Sequence, residues 1–197
     1  FEGDEFDDRN GNGIFDGVWI AGYGNGRAAS GVSDPQWVRA IALRRNGTTL
    51  VLASIDCVGF FNDDVLRVRE MVSDLGLSYV SISATHSHES RDTVGIWGVT
   101  EDTTGVDLGF MEELRSSAAQ AIRDAVADLR PAHVQYAAFR FRDQPGGTLR
   151  YIGDGRDPFI IDDQARIMRF TEAASAETIA TLINLGSHAE YMGSRNQ

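Results

Sequence analysis

The sequence predicts an α/β fold, a mixed sheet with helices packed on it and incomplete without a following polypeptide. Two patterns carry the class. Short apolar runs of strand length, each closed by turn residues, recur along the chain. Between them lie two segments whose apolar residues return at helical spacing, Val65 to Leu75 and Met111 to Leu129. The length of 197 residues, 42% of them hydrophobic, suits one domain or a large part of one with a buried core.

Residues 1–17 are rich in Asp, Asn and Gly and read as a liganded or flexible loop. Residues 22–31 are glycine-rich and wind between the first elements. Val38 to Leu43 and Thr49 to Ile55 are strands, and the Asn46-Gly47 pair between them suits a tight hairpin turn. Asn62-Asp63-Asp64 offers an N-cap for a helix through Leu75, with Val65, Leu66, Val68, Met71, Val72 and Leu75 on one face and Gly76 as its stop. Tyr79 to Ser83 is a short strand that leads into the histidine segment. Residues 89–108 read as a loop. Phe110 to Leu129 is the strongest helix, closed by Pro131. Val134 to Phe141, Ala165 to Phe170 and Thr178 to Leu185 are three more strands, with a long loop over 143–163.

Composition excludes some roles. A net charge of -11 argues against a nucleic-acid backbone as partner, since phosphate binding needs clustered positive charge. The single cysteine, Cys57, permits no intrachain disulfide, and its apolar neighbours make it a buried small hydrophobe. No run of 18 apolar residues offers a membrane span. The chain opens on an acidic stretch with no initiator Met, so a processed or excised product is expected.

Four features carry chemistry. In Thr85-His86-Ser87-His88, two histidines one residue apart follow a strand. They bring two imidazoles near one point if the backbone turns there, and neutral imidazole is a good zinc ligand. Gly186-Ser187-His188-Ala189-Glu190 ends another apolar strand with a third histidine. A catalytic zinc wants three protein ligands and an open position, which His86, His188 and either His88 or a carboxylate can supply. His133, at a strand start, reads as structural. Asp56 ends the run Leu50 to Ile55, at the strand edge where ligands gather in open α/β sheets; it is either a catalytic or substrate-contacting group or a turn former. Asp8-Arg9-Asn10-Gly11-Asn12-Gly13-Ile14-Phe15-Asp16 follows the first nine positions of a calcium loop. Asp8, Asn10, Asn12 and Asp16 are its candidate calcium ligands, and the site is structural. Trp19 stands at the twelfth position in place of the bidentate Glu, so a carboxylate from elsewhere, such as Asp4 or Asp7, is needed.

Ser83-Ala84-Thr85-His86-Ser87-His88-Glu89 resembles the Ser-Ala-Thr-His-Thr-His-Ser motif of the neutral/alkaline non-lysosomal ceramidases. Ala21-Gly22-Tyr23-Gly24, Trp37-Val38-Arg39-Ala40, Ile161 to Phe170 and Ile183 to His188 match that family in order, so the likeness covers most of residues 18–195. Ser90-Arg91 replaces the family's Gly-Pro, and Glu89 stands where Ser is usual, so the pocket rim differs. The resemblance implies a zinc amidase cleaving an N-acyl lipid or related amide. It implies His86 and His188 as zinc ligands, with His88 beside them on substrate or metal-bound species. It also implies that the remaining ligands, a Glu and a Tyr, come from a second polypeptide carrying the C-terminal half of the domain. Residues 1–17 would then be the calcium-type loop and 18–197 the N-terminal part of the catalytic domain. A secreted, periplasmic or cell-surface setting, with peripheral membrane contact, is expected from the same resemblance and from the calcium loop. Two other readings compete: a calcium-stabilised extracellular binding protein without catalysis, and a metallo-β-lactamase-like hydrolase. The latter wants Asp and His where Ser90 and Arg91 stand.

Overall fold

Asn46 and Gly47 turn the chain with φ of 50° and 81°, the positive values that a two-residue type I′ turn needs at both central positions. The structure is a computed structural model that describes residues 17–190 and 193–195. The calcium-type loop Asp8 to Asp16 lies outside the described residues. The chain forms two units, Phe1–Ala127 with Ala189–Gln197, and Asp128–His188.

In the first unit the hairpin joins β1 (Val38–Arg45) to β2 (Thr48–Ile55), paired antiparallel from Val38↔Ile55 to Arg45↔Thr48. β3 (Tyr79–Ala84) then lies parallel to β2, from Leu50↔Tyr79 to Ile55↔Ala84. A parallel neighbour requires a crossover, and residues 56–78 supply it with α1 (Asn62–Met71). Along β2 the side chains of Thr49, Val51, Ala53 and Ile55 are buried, the alternation of a sheet with one covered face. The cover is α2 (Leu108–Ala127), whose Leu114, Ala118, Ala119 and Ile122 share one core with Val51, Ile55, Val68, Val72 and Val80.

α1 departs from the expected helix at both ends. Its N-cap is Phe61, with no side-chain cap bond. Asp64 is buried and paired to Arg115 of α2 at 2.6 Å, so a tertiary ion pair claims a carboxylate that the sequence pattern offers for capping. The helix stops at Met71 and not Leu75. Arg123 of α2 explains the stop: it donates to Met71 O at 2.6 Å and to both oxygens of Asp74. It thereby satisfies a carbonyl at the helix end. A 3₁₀ turn over Ser73–Leu75 comes next, and Gly76 closes it at φ 59°, as predicted. Val65, Val68 and Val72 of the predicted apolar face are buried, whereas Leu66 and Met71 are exposed.

The second unit is an antiparallel meander in the order β4-β5-β6: β4 (Ala132–Arg140), β5 (Gln164–Glu172) and β6 (Thr178–Asn184). The α/β class therefore holds, but the strands divide between two three-stranded sheets, one mixed and one antiparallel. The long loop ahead of β5 is not structureless. Buried Asp163 accepts from Arg142 Nε at 2.6 Å, Arg142 Nη2 at 2.9 Å and Thr148 Oγ1 at 3.1 Å. Two 3₁₀ turns, Phe141–Asp143 and Thr148–Arg150, fold around it. Among the described residues, no helix is long and apolar enough to cross a membrane.

Candidate metal centre

The histidine segment leaves the C-terminal edge of β3 still in register with the chain beyond β2. Thr85 N donates to Ile55 O at 2.9 Å and Ser87 N to Cys57 O at 3.1 Å. Between these two bonds His86 adopts φ 58°, a left-handed conformation uncommon for a residue with a Cβ. This is the backbone turn that a His-x-His pair needs if its imidazoles are to converge. They do converge: the Nε2 atoms of His86 and His88 stand 3.4 Å apart.

The opposite edges of both rings face acceptors. His86 Nδ1 lies 2.6 Å from Val58 O. A carbonyl only accepts, so in the neutral ring the hydrogen is on Nδ1 and Nε2 presents its lone pair. His88 Nδ1 lies 3.1 Å from a carboxylate oxygen of Glu190, a close polar contact without hydrogen-bond geometry. Two imidazole nitrogens on one tetrahedral zinc, at metal–nitrogen distances of about 2.0–2.1 Å, stand about 3.3–3.4 Å apart. The observed separation and the carbonyl behind His86 fit that requirement, since metal-bound histidines donate their other N–H to a carbonyl or carboxylate.

The residues around the pair are held tightly. Trp19, Ile20 and Ala21 run antiparallel to residues 89–92, through Ile20↔Arg91, Ala21 N to Ser90 O, Glu89 N to Ala21 O and Asp92 N to Trp19 O. Glu89, at φ 67°, is buried as a side chain and takes two bonds from Arg27 Nη2, at 2.7 and 3.0 Å. Arg27 also donates to Gly22 O at 2.9 Å. Gly22, at φ 88°, lies flat against His88: a Cβ there would come within 2.5 Å of His88 Nδ1. Tyr23 and Trp97 complete the wall, with ring centroids 5.5 and 6.1 Å from that of His88. The Tyr23 phenol is raised above its ordinary value by desolvation first, then by the charges of Glu190 and Glu89.

Residues 89–108 carry only a loop signal in the sequence, and that signal misses what organises them. Asp92 is 1% exposed and its carboxylate accepts from four backbone amides, those of Val94, Gly95, Trp97 and Gly105. Asn25 fastens the same loop to the first segment through Ile96 O and Thr100 O. An Asp two and three residues before the amides it binds is an Asx turn, so half of this pattern has a local signal.

His188 is exposed and closes the second unit, while the next residue, Ala189, forms a parallel bridge with Ser87. The Asp56 carboxylate accepts from Trp37 N at 3.2 Å and Arg39 Nη1 at 2.9 Å, contacts that tie the end of β2 to the start of β1 and suit the turn-forming role. Cys57 is fully buried, and burial pushes its thiol up to about 11, as befits a core residue. His133 is exposed on β4. Asp8, Asn10, Asn12 and Asp16 are not among the described residues.

No protein-family model and no curated protein matches the chain. Solved structures do. A neutral ceramidase from Pseudomonas aeruginosa superposes with a TM-score of 0.64 at 20% identity, and a ceramidase complexed with C2 with 0.67 at 19%. The fold is ceramidase-like. Each match covers 87% of this chain and 29% of the ceramidase chain, so the chain spans under a third of the length of the ceramidases it resembles.

Proposed function

We propose that this chain carries part of the active site of a zinc-dependent amide hydrolase of the ceramidase-like kind, acting on an N-acyl lipid or related amide. The convergence of His86 and His88 through their Nε2 atoms, 3.4 Å apart with the Val58 carbonyl behind His86, is the observation that supports it best. The ceramidase-like fold adds to it.

His86 and His188 are the zinc ligands from this chain. His188 is covalently next to Ala189, which bridges Ser87 between the two converging histidines. Bound zinc would polarise the amide carbonyl and acidify water. His88 faces the same point and contacts the substrate or the species bound there. Arg27 and Glu89 hold the strained turn, and Tyr23 and Trp97 shield the His88 ring from bulk water. Asp56 keeps the strand ends together. Residues outside this segment supply the remaining ligands. The loop of Asp8, Asn10, Asn12 and Asp16 binds a structural calcium, and the protein works outside the cytosol, where calcium is plentiful.

The test is hydrolysis of N-acyl amides of graded acyl length by the native preparation. Fatty acid should be released, chelation should abolish the release and zinc should restore it, and His86→Ala should be inactive. A zinc-loaded preparation that cleaves none of these amides would overturn the amidase reading.

A further inference from the structure

We infer that Arg27 is a positioning residue for the histidine pair: its guanidinium holds the His88 ring in place by bridging Glu89 and the Gly22 carbonyl. What this does for catalysis rests on the amidase reading above; the placement of the ring does not.

Three side-chain contacts of Arg27 lead to neighbours of His88. Nη2 donates to both carboxylate oxygens of Glu89, at 2.7 and 3.0 Å, and Glu89 directly follows His88 in the chain. Nη1 donates to Gly22 O at 2.9 Å. Gly22 is the residue whose missing side chain leaves room for the ring: a Cβ there would stand 2.5 Å from His88 Nδ1 and 2.8 Å from His88 Cγ. Arg27 Cζ lies 5.8 Å from the centroid of the Tyr23 ring, within reach of a cation–π contact, and that ring meets His88 edge to face. The backbone of Arg27 is anchored as well. Its carbonyl accepts from Ile20 N at 2.9 Å, and the next residue, Ala21, bonds through its N–H to Ser90 O and through its carbonyl to Glu89 N.

The arrangement is specific to a guanidinium. The Arg27 side chain is 22% exposed and that of Glu89 7%, so the pair is largely withdrawn from water, where a two-point bond between charged groups is strong. Donors spread over a rigid plane reach Glu89 and Gly22 O at once. A lysine ammonium offers its donors from one atom; it keeps the ion pair with Glu89 and releases Gly22 O. Glu89 at φ 67° and Gly22 at φ 88° are both left-handed, so the two backbone positions that Arg27 ties together are ones that need holding. With both held, His88 Nε2 stays 3.4 Å from His86 Nε2.

The experiment is NMR cross-relaxation between the His88 and Tyr23 rings in the metal-free protein, with urea unfolding and zinc affinity measured alongside. Arg27→Ala leaves Glu89 buried without its counter-charge, which destabilises the fold itself, so the test variant is Arg27→Lys. Arg115→Lys is the control: Arg115 makes a similar two-point bond to buried Asp64 in the same unit, at 2.6 and 2.7 Å. Wild type should show His88–Tyr23 cross-peaks. Arg27→Lys should lose them, and its zinc affinity should fall about 10–100-fold, the effect of losing an outer-shell contact. Arg115→Lys should keep both, whatever happens to its urea midpoint. Cross-peaks retained in Arg27→Lys, or absent from wild type, would overturn the inference. So would their loss in both variants, since the ring would then follow general stability and not Arg27. A wild type that binds no zinc would sink the amidase reading alone, because the cross-peaks are read without metal.

Discussion

Replacing Asp92 by Asn tests whether the loop beside the histidines is built on one carboxylate. Asp92 Oδ1 accepts from Val94 N at 2.9 Å and Gly95 N at 2.7 Å, and Oδ2 accepts from Trp97 N and Gly105 N, both at 3.1 Å. Asn keeps one carbonyl oxygen and can serve one of these pairs. Its NH₂ group then points donors at the other pair in a site that is 1% exposed. A hydrogen bond to a charged group contributes about 1.5–3 kcal/mol, so losing two costs about 3–6 kcal/mol. That is a large share of the roughly 5–15 kcal/mol that holds a domain together. The assay is urea unfolding, with the midpoint falling at unchanged slope. Amide exchange should show Val94, Gly95, Trp97 or Gly105 newly unprotected in pairs. A loss below about 1 kcal/mol, the range of an ordinary surface change, with all four amides still protected, would mean that the carboxylate does not organise the loop.

The same contacts set three further outcomes. Gly22→Ala places a methyl about as close as 2.5 Å to His88 Nδ1 on a backbone at φ 88°; the His88 imidazole resonances should shift and zinc affinity should fall at least tenfold, the low end of the effect of losing an outer-shell contact. Hydrogen bonding from Arg142 holds the Asp163 carboxyl well below its ordinary value of about 3.9. Stability from this pair is therefore fully present above the ordinary value and lost as pH falls below about 4, through the lowered one. Acid titration of the second unit should show that loss, and Asp163→Asn should remove it. Cys57, buried and raised to about 11, should resist alkylation in the native protein at neutral pH and react only on unfolding; reaction at the rate of a free thiol would contradict its core placement.

Local signals were legible. The Asn46-Gly47 turn needs only its own backbone freedom, so the hairpin appears where the sequence puts it. α2 is read from its apolar spacing, and the structure begins it two residues before Phe110 and ends it two before Leu129. The His-x-His convergence comes from a turn after a strand. What was not legible depends on partners far along the chain. Asp64 looks like a cap until Arg115, 51 residues on, takes it. The division of the strands into two sheets depends on pairing, which an apolar run does not encode. Gly105 meets Asp92 across 13 positions, and Glu190 meets His88 across a still longer separation, so neither contact leaves a motif.

A zinc site built on His86 underlies every chemical role assigned to this chain. Native mass spectrometry of the purified protein, with His86→Ala and His188→Ala alongside, reads it without recourse to a substrate. Wild type should carry roughly one zinc per chain, retained with any further polypeptide that completes the site, and both variants should lose it. A wild type that takes up no added zinc, or a His86→Ala variant that keeps it, would contradict the assignment.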